Sequence, residues 1–122
     1  SQLSEMTLFI ISKFEMEGPL EGQFSGMSKL QRLVLENNKF SGNIPAESFA
    51  SDNPFLRFLR LGGNDFTGPI PAALANLTLL QELRVSKNSL DGQIPDFFGN
   101  LTELSKSDIL GHEADKKGTG MS

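Results

Sequence analysis

One phrase occurs three times in this chain, and nothing else in it constrains the fold as tightly. LQRLVLENNKFSGNIP starts at Leu30, LRFLRLGGNDFTGPIP at Leu56 and LQELRVSKNSLDGQIP at Leu80, with successive starts 26 and 24 residues apart. A fixed period of this length marks a solenoid, in which each repeat buries its apolar side only against its neighbours. Within the second copy, Leu56, Leu59 and Leu61 face inward along a short strand, while Phe58 and Arg60 face out. Asn38, Asn64 and Asn88 follow the strands where the chain turns inward. There an amide can bond backbone groups that no flat ladder satisfies, so the three should stack as a structural column. Phe40, Phe66 and Leu90 fill the next interior layer, and Gly42, Gly68 and Gly92 permit a turn. Ile44-Pro45, Ile70-Pro71 and Ile94-Pro95 then supply a buried anchor and a fixed φ on the return path.

The template L-x-x-L-x-L-x-x-N-x-L, continued by x-G-x-I-P, is that of a leucine-rich repeat and resembles the plant-specific class of receptor-like kinases. The expected fold is an α/β-type repeat solenoid, a right-handed horseshoe segment of about four to five coils. Short parallel strands should line its concave face and irregular or 3-10 segments its convex side. The solenoid is expected over 1–110. It comprises a degenerate first coil at about 6–29, coils at 30–55, 56–79 and 80–103, and a partial coil at 104–110. In the first coil Phe14 stands where the column asparagine belongs; in the last, His112 does. Residues 111–122, rich in glycine and charge, read as a polar frayed tail. The strand TLFII starts without a polar cap, and the chain has no cysteine, whereas the resemblance implies caps with cysteine pairs. That pattern reads as a fragment of a longer ectodomain or a truncated product.

Composition narrows the function. Net charge is −4, with no basic run and no Trp or Tyr, which argues against nucleic acid. No apolar stretch is long enough to span a bilayer, so membrane insertion by this chain is not expected. Absence of cysteine removes disulfides, thiol catalysis and cysteine metal sites together. The single histidine, His112, lies in the tail, so neither a nucleophile with an oriented base nor a metal cluster can be assembled. No enzyme and no cofactor is expected.

A concave strand face projects side chains on a regular grid, its rows about 4.8 Å apart. One column holds Leu8, Arg32, Phe58 and Glu82; the next holds Ile10, Val34, Arg60 and Arg84. Glu36 and Lys87 extend the grid beyond the strands. These positions are the candidate partner-binding residues: Arg32, Val34, Glu36, Phe58, Arg60, Glu82, Arg84 and Lys87. Arg60 and Arg84 stand side by side, a pair that either clamps an anion or is neutralised by Glu82 and Glu36. Phe58, beside Gly62 and Gly63, is a candidate hydrophobic anchor with a shallow space next to it. Asn76-Leu77-Thr78 and Asn100-Leu101-Thr102 match the glycosylation acceptor pattern, although N-L-T also fits the repeat itself.

EGPLEG, LENNKFSGNIPAESF, FTGPIPAALANL, LLQELR and LDGQIPDFF resemble, over about residues 14–101, the ectodomain of pollen receptor-like kinases. The resemblance implies a membrane-anchored receptor that senses secreted peptides or small proteins, placed at the extracellular face of the plasma membrane or secreted. It also implies a co-receptor or another leucine-rich-repeat chain as partner. The alternatives are a stand-alone secreted inhibitor or defence protein and a co-receptor scaffold.

Overall fold

The computed structural model describes residues 2–91, 101, 103–109 and 112–115. In chain order the strands are β1 (Leu8–Ile10), β2 (Glu17–Pro19), β3 (Arg32–Val34), β4 (Lys39–Gly42) and β5 (Phe58–Arg60). They continue as β6 (Asp65–Pro69), β7 (Glu82–Arg84), β8 (Ser89–Asp91), β9 (Lys106–Ile109) and β10 (His112–Asp115). One α-helix, α1 (Ala46–Asp52), and the 3-10 segments Gln2–Glu5 and Ala72–Asn76 complete the described elements. The strands form two sheets, ordered β1-β3-β5-β7-β9-β10 and β2-β4-β6-β8, wound as a right-handed solenoid.

The first sheet keeps the repeats in register. Phe9, Leu33, Leu59, Leu83 and Ser107 are successive ladder partners, as are Leu8, Arg32, Phe58, Glu82 and Lys106. This holds across the 26-residue repeat because its two extra residues are spent on the convex side. There the longer coil has the seven-residue α1, where the next has a five-residue 3-10 segment. Ala46 and Phe49 of α1 point into the core, and Glu47 sits favourably in its first turn. Leucines 30, 33, 35, 56, 59, 61, 80 and 83 are fully buried, each contributing about 1.5–3 kcal/mol through burial.

The second sheet was not anticipated from the sequence, which reads its residues as an interior layer and a turn. It is sheared by two positions per coil: Gly18 faces Phe40, Gly42 faces Phe66 and Gly68 faces Leu90. An even offset leaves every side chain on its own face, so the apolar layer survives the shear. Each glycine lies opposite the bulky residue of the next coil. At Gly68 the requirement is strict, since φ is +83° and a Cβ would overlap Asn43 Oδ1.

Asn53 is a second departure. It replaces an apolar repeat residue, is buried, and donates from Nδ2 to Phe24 O and Met27 O at 3.0 Å each. It thereby closes two carbonyls of the preceding coil's turn, the service expected only of the asparagine column. Residues 112–115, read from sequence as part of the frayed tail, form β10 antiparallel to β9. The added strand pairs the backbone edge that β9 would otherwise present.

Candidate functional site

The asparagine column organises the turn after each strand of the first sheet. Asn64 Nδ2 donates to Leu35 O, Leu61 O and Gly62 O at 2.9–3.2 Å, while its Oδ1 accepts from Phe40 N at 3.2 Å. Asn88 repeats the pattern with Leu61 O, Val85 O, Ser86 O and Phe66 N. Asn38 donates to Ile11 O, Leu35 O and Glu36 O and accepts from Phe14 N and Met16 N. Each amide therefore ties its own turn to the coil before it. The residue ahead of each column position is left-handed: Lys13 (φ 63°), Asn37 (60°), Gly63 (71°) and Lys87 (57°). Sequence reasoning aligns these four residues but missed their left-handed backbone, because only one of them is a glycine.

These turns support the concave grid and place its side chains. Arg32, Val34, Phe58, Arg60, Glu82 and Arg84 all lie on the first sheet, with Glu36 and Lys87 on the turns that follow it. Arg60 and Arg84 are ladder partners, as the spacing predicts. They do not form an open clamp, because Glu82 lies between them. Its Oε1 accepts from Arg60 Nε at 3.0 Å and pairs with the terminal guanidinium nitrogen at 2.9 Å. Its Oε2 accepts from Arg84 Nε at 2.9 Å. Burial alone would push the Glu82 carboxyl up; the hydrogen bonds from Arg84 and Arg60 outweigh it and hold the group below the usual carboxylate range. The bridge is the neutralising alternative realised through Glu82. It fixes both guanidinium planes at a solvent-facing surface, with the Arg60 side chain 40% exposed.

Phe58 is not a bare anchor either. The Arg32 guanidinium carbon sits 4.4 Å above its ring centroid, a cation–π contact that orders both side chains. The shallow space expected beside it is occupied, since a Cβ on Gly63 would overlap Asn37 Oδ1 and one on Gly62 would meet Ser86 O at 3.1 Å. Leu8 and Ile10, at 48% and 57% exposure, extend the grid as an apolar strip along β1. Among glycosylation candidates, Asn76 is exposed at the end of its 3-10 segment. Asn100 lies outside the described residues.

A lateral groove of about 530 Å³ runs along the return path, lined by Pro19, Pro45, Pro69 and Pro71 with Glu21 and Glu47 among its walls. Among the described residues, no group of three or more His, Cys, Asp or Glu could hold a metal ion, and no helix is long and apolar enough to cross a membrane.

Comparison with known proteins agrees with this geometry. The Leucine Rich Repeat family profile matches residues 29–50, 55–77 and 79–101, more than half of the chain. Pollen receptor-like kinase 2 of Arabidopsis thaliana is 47% identical over 60 residues, covering 49% of this chain and 9% of that protein. The leucine-rich-repeat ectodomain of the Arabidopsis receptor kinase SOBIR1 superposes with a TM-score of 0.78 at 31% identity, over 90% of this chain and 59% of that one. The Arabidopsis receptor kinase HAESA, solved with the peptide hormone IDA and the co-receptor SERK1, gives a TM-score of 0.80 at 28% identity, over 85% and 17%. The chain thus spans about a tenth of its curated relative's length.

Proposed function

Since the chain belongs to the leucine-rich repeat family, in its plant receptor-kinase type, we propose that it is a non-catalytic recognition module whose concave face binds an acidic secreted peptide or small protein outside the cell. Charge distribution carries this reading. The first four strands of the concave sheet, each taken with the residues after it as far as the column position (8–14, 32–38, 58–64 and 82–88), hold Lys13, Arg32, Arg60, Arg84 and Lys87 against Glu36 and Glu82, a net +3. Six cations and thirteen carboxylates occupy the rest of the chain, a net −7. A cationic face on an acidic molecule steers an anionic ligand to one side and repels it from the others. The strip Leu8–Ile10 and the ring of Phe58 offer apolar contact beside the charges, so the preferred ligand combines carboxylates with an apolar residue. A co-receptor is a second partner of this reading, supported by the lateral groove, which shares no lining residue with the cationic grid.

Panning a displayed peptide library on the immobilised chain tests the proposal. Enriched peptides should be acidic with at least one large apolar residue, and binding should fall at least tenfold in Arg32→Glu and weaken with salt. Glu21→Lys, on the groove wall, should leave it unchanged. Peptides without acidic bias, or binding that survives Arg32→Glu and fails in Glu21→Lys, would move the site off the concave face.

A further inference from the structure

The convex side carries a chemical feature that concave recognition does not use. We infer that Asn76 is an N-glycosylated residue whose glycan stands on the convex ridge, away from the concave grid. This rests on the extracellular part of the reading above. Asn76-Leu77-Thr78 has the acceptor form, a carboxamide followed two residues later by a hydroxyl. The fold explains only its middle residue. Leu77 is fully buried and its N–H donates to Leu74 O at 3.1 Å, so the repeat needs a residue there that faces the core. Its neighbours vary from coil to coil: one coil later they are again Asn100 and Thr102, around Leu101, but one coil earlier they are Asp52 and Pro54, around Asn53. Two coils earlier they are Gly26 and Ser28, around Met27. Asn76 and Thr78 are both exposed, and neither side chain hydrogen-bonds to another described residue.

The other described asparagines differ on each count. Asn38, Asn53, Asn64 and Asn88 spend their amides on backbone groups. Asn37 and Asn43 lie against Gly63 and Gly68. None of the six is followed by Ser or Thr at the second position. Asn76 alone among them can carry a bulky group without loss of a core contact. In the transfer, Asn76 Nδ2 bonds to the anomeric carbon of a lipid-diphosphate-linked oligosaccharide. The sugar–phosphate bond breaks, the lipid diphosphate leaves with the electron pair, and the amide gives up one proton.

The test secretes the whole chain from plant cells behind a cleavable leader, with Asn100→Gln present so that only one acceptor tripeptide remains. Secreted protein is digested with a glycan amidase in heavy-oxygen water and mapped by mass spectrometry. Asn76 should appear as labelled aspartate, and the digest should remove one glycan's mass. Thr78→Ser should keep the modification, while Thr78→Ala and Asn76→Gln abolish it, a pattern set by acceptor chemistry rather than by folding. An unmodified Asn76 in the secreted protein, or a modification that survives Thr78→Ala, would overturn the inference. Because the leader forces passage through the secretory compartment, that failure would leave the extracellular reading standing. Retention of the natural full-length gene product inside its own cells would count against that reading instead.

Discussion

The first coil and the interior coils follow one template with different success. From Leu30 to Val85 the strand leucines and valine are fully buried, and the column asparagines serve two coils at once. In the first coil, Met6, Phe9 and Ile11 are only half-buried, Leu8 and Ile10 are exposed, and Phe14 sits 71% exposed in place of an asparagine. A pocket of about 210 Å³ opens into the layer beneath, between Phe9, Met16, Phe24 and Phe40. Repair is partial: Phe9 and Phe24 meet edge to face at 5.1 Å, and Lys29 pairs with Glu5 at 3.0 Å. A repeat's stability is its own contribution plus that of its interfaces, so a coil with one packed interface and no column amide should open first.

The largest effect is expected at the column. Asn64→Ala strands buried carbonyls of two coils and the Phe40 N–H, and should cost about 3–4 kcal/mol, lowering Tm by on the order of 10 °C. Asn38→Ala removes five bonds against four, yet several of the freed groups lie in the water-accessible first coil, so its cost should be about half. Equal losses in thermal melts would break the comparison by showing the first coil to be as tightly held as the rest. Gly63→Ala comes next. The left-handed φ and the overlap with Asn37 Oδ1 together should cost about 2 kcal/mol. Gly18→Ala, with positive φ but no atom within 4 Å of the new Cβ, should cost about 1 kcal/mol in urea titration.

Charge pairs extend the contrast. Glu82→Gln removes the carboxylate that lies between Arg60 and Arg84 and should cost about 1–2 kcal/mol near neutral pH, after allowance for the exposure of Arg60. Because the folded protein holds the Glu82 carboxyl below its ordinary value, this stabilisation is complete above the unfolded value of about 4 and is lost as pH falls through the lower folded value. The Tm gap between the parent and Glu82→Gln should therefore close in acid. Glu5→Gln, which breaks a pair whose side chains are 69% and 56% exposed, should barely move Tm at any pH. A gap for Glu82→Gln that stays constant down to strongly acid pH would show that the bridge does not titrate as its geometry requires.

The first sheet was legible in the sequence because its coils stack in register, so residues one period apart become neighbours. The adjacency of Arg60 and Arg84, the asparagine column and the outward place of Phe58 followed from that alone. What escaped depends on the fit between coils rather than on period. The two-residue shear of the second sheet leaves the periodicity unchanged, so no count of repeat positions reveals it. Asn53 sits where the template asks for an apolar residue, and its role is set by two carbonyls of another coil. That Asn37 fills the space over Gly63, and that Arg32 covers Phe58, are side-chain choices made across the interface.

The one predicted gain in stability bears most directly on the difference between first and interior coils. Phe14→Asn restores the template where it fails. Phe14 is largely exposed, so its removal forfeits little burial. Its N–H already donates to Asn38 Oδ1 at 3.0 Å, and that bond is independent of the side chain. In each interior coil the column amide donates to carbonyls two and three residues back, which here are Ser12 O and Ile11 O. Ile11 O already accepts from Asn38 Nδ2, but a carbonyl has two lone pairs. The new side chain gains those donor bonds and lacks both the carbonyl and the amide of a preceding coil, to which its nitrogen and oxygen would bond in an interior coil. The expected gain is about 0.5–1 kcal/mol, with slower hydrogen exchange at the Ile11 and Lys13 amides, whose bonds run to Val34 O and Asn37 O. If exchange at those amides is unchanged while the urea midpoint still rises, the gain comes from the unfolded state. The weakness of the first coil would then lie in its single packed interface and not in the missing asparagine.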